Sequence, residues 1–235
     1  MGYLVFFVAM NLLIFFHELG HFAAARLLKL KVDIFQVGIP AVLGFNLGET
    51  KFRLGLLPTM GFVRIRERHP KTWGKVFVSL AGPVASIIFG AALLLSSGIP
   101  IAKVAEICVK IPNALYSDLV TNPNSLVVTP EQNNALAIGE IANELDTTLI
   151  DILQLIGVIS IAVASFNLLP IPPLDGGHIF FDILEGFFGK RRIKIYDLEI
   201  PLVNLVRGLI MVGFAAFMIY TLIAEIVFAV QRLLN

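Results

Sequence analysis

Charge is scarce in this chain. Of its 235 residues 15% are charged and 57% hydrophobic, where soluble domains carry about 25% charged residues. That balance excludes an ordinary soluble globule and marks an integral membrane protein. The few charges nearly cancel, at +1, so the basic surface that a nucleic-acid partner requires is missing. Cysteine is rarer still. Cys108 stands alone, which excludes an internal disulfide and any multi-cysteine metal site. No basic stretch precedes the first apolar run, so that run is expected to be a retained helix and not a cleaved signal peptide. Phe6 stands where a myristoylation signal needs Ser or Thr, which excludes that modification at Met1-Gly2.

What the chain does have is long apolar runs. Residues 3–28, 76–95, 147–169 and 200–230 are each long enough to cross a bilayer. The expected fold class is therefore a membrane α-helical protein with four transmembrane helices. Between the first two spans the pattern changes. Short β-prone stretches over about 32–66 are punctuated by Gly38, Pro40, Gly44, Gly48, Pro58 and Gly61. They predict a small membrane-associated β-hairpin or sheet, apolar enough to dip into lipid where protein or a wet cavity covers its backbone. In the second span Gly82, Ser86 and Gly90 recur every four residues and offer a face for close helix packing. The chain divides into 1–97 (spans one and two with the β element), a polar connector over 98–146 with a helix from about Pro130 to Leu145, and 147–235 (spans three and four).

Lysine and arginine set the orientation. Ten lie between Arg26 and Lys75, against only Lys103 and Lys110 in 98–146; Lys190, Arg191, Arg192 and Lys194 follow the third span. Residues 29–75 and 186–199 are thus expected on the cytoplasmic side, with both termini and the connector opposite.

Inside the first span lies His17-Glu18-Leu19-Gly20-His21. Ionisable residues are costly in hydrocarbon, so three together there point to a functional site. Histidines four apart share one helical face and can bind one zinc ion, and Glu18 can act as general base on a zinc-bound water. A catalytic zinc takes three protein ligands and keeps one position open. Asp175 on a glycine-flanked turn can supply the third, and His178 is its rival; both follow the third span. Asn167 is placed to donate hydrogen bonds to a substrate carbonyl, or alternatively to a neighbouring helix. His69, in the basic loop, is expected to be solvated.

HELGH in span one, Ala81-Gly82-Pro83 at the start of span two, and Asn167-x-x-Pro170-x-x-x-Leu174-Asp175-Gly176 after span three closely resemble the site-2 protease family of intramembrane zinc metalloproteases. Residues 48–65 look like the membrane-associated β-hairpin of its bacterial branch, which cleaves anti-sigma factors. The resemblance implies that His17, His21 and Asp175 bind one Zn2+ and that Glu18 is catalytic. It also implies that Asn167 helps hold substrate and that the strand around Gly61, Phe62, Val63 and Arg64 pairs with the unwound peptide. The implied substrates are transmembrane segments of single-pass proteins, such as anti-sigma factors or remnant signal peptides. The implied location is the bacterial inner membrane, with the active site toward the cytoplasm. One departure is plain. Bacterial members often carry PDZ domains between spans two and three, and residues 98–146 are too few to hold one. A different class of function shares the zinc site: a non-catalytic zinc-binding or metal-transporting membrane protein.

Overall fold

The computed structural model describes residues 2–67, 69, 71–121, 148–188, 192–195 and 198–234. It is mostly helical. Helix α1 spans Gly2–Leu27, followed by strands β1 (Val32–Leu47) and β2 (Thr50–Ile65), then α2 (Thr72–Ser96) and α3 (Ile101–Thr121). After residues outside that description come α4 (Leu149–Asn167), α5 (Asp175–Phe188), a short hairpin β3 (Arg192–Ile195) and β4 (Leu198–Pro201), and α6 (Leu202–Leu234). Among the described residues three helices are long and apolar enough to cross a membrane: Phe7–Leu27 within α1, Thr72–Ser96 and Leu149–Asn167. The fourth expected span falls in α6, whose described apolar stretch is the shorter Val203–Ala216.

Local chemistry sets the ends of these elements. Helix α1 closes in a Schellman turn: Leu30 N–H donates to the Ala25 carbonyl at 2.9 Å and Lys29 N–H to the Arg26 carbonyl at 3.0 Å. Lys29 takes the left-handed conformation this requires, with φ 58°. The chain thereby turns from helix into β1 within a few residues and lays the strand along α1. Helix α4 opens in a capping box. Thr148 Oγ accepts from the Asp151 N–H, and Asp151 Oδ2 accepts from the Thr148 N–H at 3.1 Å.

The spans pack through small residues. Along α2 the buried positions Gly74, Val78, Gly82, Ser86, Gly90 and Leu94 recur every four residues, extending the stripe expected at 82, 86 and 90. Gly90 meets Gly157 of α4 so closely that a Cβ on it would lie 2.6 Å from the Gly157 carbonyl oxygen. Next to Gly90, Phe89 stacks on Phe16 of α1 with ring centroids 4.0 Å apart.

The β element forms where expected and is more elaborate than a plain hairpin. The two strands pair antiparallel, from Leu47↔Thr50 at the tip to Val32↔Ile65 at the base. Both strands bend, β1 near Gly38 (φ 77°). The inner half of β1 consequently has partners on both sides: Phe35 faces Val63 across one edge and Phe52 across the other. Residues 61–65 form one outer edge of this sheet, and the tip part of β1 the other, among the described residues. Phe22 anchors the sheet to α1, with centroids 5.7 Å from both Phe35 and Phe52. The tip projects apolar side chains outward: Leu43, Phe45, Leu47 and Leu56 are each about two-thirds exposed.

Three features differ from expectation. Residues 101–121, read as part of a polar connector, form α3. Its Val104 packs on Leu94 and Ile161, with Ile107, Cys108 and Ile111 alongside. That spacing is helical, and Pro112 with the asparagine-rich run beyond it obscured the period. Asp175 does not sit on an irregular turn; it is the first residue of α5. His69 is half-buried rather than fully exposed, with Nδ1 accepting from the Lys71 N–H at 3.1 Å and its ring 4.8 Å from Trp73. The helix expected over 130–145 lies outside the described residues.

Candidate metal centre

Three helices converge on one point about two turns from the C-terminal end of α1. His17 and His21 project from one face of that helix. Asp175 arrives from the start of α5, where the prolines after Asn167 end α4 and Leu174 leads into the new helix. Asp175 Oδ2 lies 3.0 Å from His17 Nε2 and 3.3 Å from His21 Nε2, and the two Nε2 atoms are 3.3 Å apart. Among the described residues this is the group of His, Cys, Asp and Glu side chains able to hold a metal ion. The edges fit the group the sequence implies. Ligands bound to a tetrahedral zinc at about 2.0–2.1 Å stand about 3.3 Å from one another. Two imidazoles and one carboxylate also match a catalytic donor set, which leaves a fourth position open.

The far side of each imidazole is held. His21 Nδ1–H donates to the Val78 carbonyl at 2.7 Å, and His17 Nδ1 lies 3.0 Å from Ser86 Oγ. Both partners come from α2. With Nδ1 carrying the proton, each ring presents its Nε2 lone pair to the shared centre. Ser86 is fixed in turn, since Ser160 of α4 donates through Oγ to its carbonyl at 2.8 Å. Gly82 lies directly against the His21 ring, in a space that any Cβ would fill. Glycine at 82 thus leaves the room that the His21 ring occupies.

Glu18 is 7% exposed and faces the β element. A Cβ on Gly61 of β2 would stand 2.6 Å from Glu18 Cγ and 2.9 Å from its Oε1, so the outer strand passes immediately over this carboxylate. The group lines a cavity of about 610 Å³, together with His17, His21, Asp175, Asn167 and the 60–63 segment. His178, the rival ligand, lines the same cavity but is absent from the ligand cluster. Arg64 stands at the edge of this arrangement and lines an adjoining cavity. The sequence reading missed Ser86, the Val78 carbonyl and Ser160 as supports of the ligands. A serine in a small-residue stripe carries no chemical signature until the histidine it faces is known.

The sequence profile of Peptidase family M50 matches residues 5–206. The chain belongs to peptidase family M50. Two relatives whose names place them among the zinc metalloproteases come from Borreliella burgdorferi and Clostridium acetobutylicum. The first is 33% identical over 110 residues, covering 37% of this chain and 25% of that protein. The second is 31% identical over 121 residues, covering 45% and 36%. The M50 chain thus spans well under half the length of these curated relatives. Among solved structures, the Site-2 Protease from Methanocaldococcus jannaschii is matched with TM-score 0.41 and 20% identity, over 79% of this chain and 56% of that one.

Proposed function

We propose that this chain is an intramembrane zinc endopeptidase that cuts transmembrane segments of single-pass membrane proteins, anti-sigma factors and remnant signal peptides being the expected kinds. The observation that carries this reading is the His17, His21 and Asp175 triangle, with Glu18 beside it in a cavity walled by an open strand edge. His17, His21 and Asp175 would hold the ion, and zinc bound there supplies Lewis acidity. Glu18 takes a proton from the attacking water and passes it to the leaving amine as the peptide C–N bond breaks. Asn167, on the cavity wall, donates to the substrate backbone. The edge strand at Gly61, Phe62, Val63 and Arg64 offers main-chain partners to a peptide that has left its helix. Such pairing matters because an intact helix shields its own scissile bonds.

The reading includes four spans, with α6 as the fourth, and a metal centre toward the cytoplasm of a bacterial inner membrane. In it the apolar hairpin tip rests in lipid, and residues 98–146 form the opposite-side connector without a PDZ domain. Replacing Glu18 by Gln keeps the ligands and removes the base. In proteoliposomes with a model transmembrane substrate, Glu18→Gln should retain zinc by metal analysis and lose cleavage by about 10²–10⁴-fold. Undiminished cleavage by that variant overturns the mechanism. Zinc flux across the vesicle without proteolysis favours the transport reading instead.

A further inference from the structure

A second cavity, of about 420 Å³, adjoins the one at the metal centre. Phe62, Val63, Ile65, Val78, Ser79 and His178 line both. What distinguishes the second is its charge: Arg64, His69 and Lys75 line it, and among the described residues no carboxylate does. Lys75 is partly answered by Glu185 at 3.0 Å. Arg66, just past the end of β2, is answered in full, donating through Nε and Nη2 to Asp33 Oδ1 at 2.9 and 2.7 Å. Asp33 accordingly raises the Arg66 guanidinium above its ordinary value. Arg64 has no such partner among the described residues. Its guanidinium carbon lies 6.0 Å from the Phe62 ring centroid, against the wall the two cavities share.

We propose that this basic vestibule is a subsite for an acidic stretch of the substrate that flanks the segment held at the metal centre. The inference rests on the proteolytic reading. One strand connects the two places: Gly61 lies over Glu18, and Arg64 follows three residues later at the vestibule. An extended peptide advances about 3.3 Å per residue, so a side chain about three positions from the scissile bond reaches Arg64. A carboxylate there meets a guanidinium fork matched to its geometry. Anionic lipid headgroups share this chemistry. The peptide is favoured because the vestibule shares its wall with the metal cavity along the very strand a peptide would follow.

The test uses the full chain in phosphatidylcholine proteoliposomes and two synthetic transmembrane peptides. They differ only in carrying Asp-Asp or Asn-Asn about three residues from the mapped cut, on each side in turn. On one side the acidic peptide should be cut with kcat/KM about three- to fivefold above the neutral one, and Arg64→Glu should invert that order. A ratio of one in the wild type, or one unchanged in Arg64→Glu, overturns the subsite while leaving the protease reading intact. Absence of all cleavage counts against the protease reading. The subsite is then decided by fluorescence anisotropy of the same labelled peptides on the Glu18→Gln protein, where equal affinity overturns it. Binding that follows the phosphatidylglycerol content of the bilayer and not the peptide charge also overturns it, in favour of a headgroup site.

Discussion

The hydroxyl of Ser86 illustrates how much a single buried atom can govern. It lies 3.0 Å from His17 Nδ1, and a ligand imidazole whose distal nitrogen is fixed binds metal with less loss of freedom. Removing such a partner typically lowers affinity 10–100-fold. Ser86→Ala is therefore expected to weaken zinc binding by about tenfold, measured by competition against a chelator of known affinity, while the fold survives the loss of one oxygen. Unaltered affinity would show that Val78 and the helix alone orient the ligands. The ligands themselves make a sharper contrast. Asp175→Ala should empty the site in metal analysis, whereas His178→Ala, absent from the cluster, should leave zinc occupancy near that of the wild type. The opposite result would exchange their roles. At this scale His17, Glu18 and His21 were legible because helical spacing alone aligns them. Asp175 became a candidate by chemistry and depth, but its separation of 3.0 Å from His17 depends on how α5 starts. The supporting carbonyl of Val78 was invisible, since every residue has a carbonyl.

Elements were legible where periodicity was strong and one-sided. The spans at 76–95 and 147–169 correspond to Thr72–Ser96 and Leu149–Asn167, and the β stretch at 32–66 to Val32–Leu47 with Thr50–Ile65. Helix α3 was not legible, because its buried face is narrow and its exposed face carries Lys103, Glu106 and Lys110. Those charges form an i, i+3 and i, i+4 network that holds the half-exposed Glu106 below its ordinary pKa, a solvated face that reads as loop composition. The division of 170–200 into α5 and a small hairpin was hidden as well, since prolines announce a break but do not specify the element beyond it. One consequence of α5 is a buried ion pair. Asp182 is fully buried, and Arg207 of α6 reaches its Oδ1 at 3.4 Å while lying 5.1 Å over the Phe181 ring. Breaking a buried ion pair from one side typically costs about 3–5 kcal/mol. Arg207→Met should thus lower thermal stability markedly in detergent or nanodiscs. The double variant Asp182→Leu with Arg207→Met should recover most of the loss. Additive losses in that cycle would mean that the two side chains act independently.

The whole molecule ties charge to depth. Helices α1, α2 and α4 run alternately up and down: His17 meets Ser86, and Ser86 meets Ser160. The C-terminal part of α1, the N-terminal part of α2 and the C-terminal end of α4 therefore share one end of the bundle, where Asp175 completes the triangle. The β element grows from that same end. Residues 26–75 hold ten Lys and Arg against Asp33, Glu49 and Glu67, and an excess of that sign next to spans is retained in the cytoplasm. Contacts thus put the metal centre at the basic end of the bundle, and composition alone predicts that this end faces the cytoplasm. Two exposed lysines separate the ends: Lys31 beside β1 is 59% exposed, and Lys103 near the start of α3 is 57% exposed. In a Cys108→Ser background, Lys103→Cys should react with a membrane-impermeant maleimide on intact spheroplasts. Lys31→Cys should react only after the membrane is opened. The reverse pattern would turn the molecule over and place the metal centre, with the strand edge beside it, on the outer side. Labelling of both on intact spheroplasts would place α3 and β1 at the same face and break the link between Lys/Arg count and orientation for this chain.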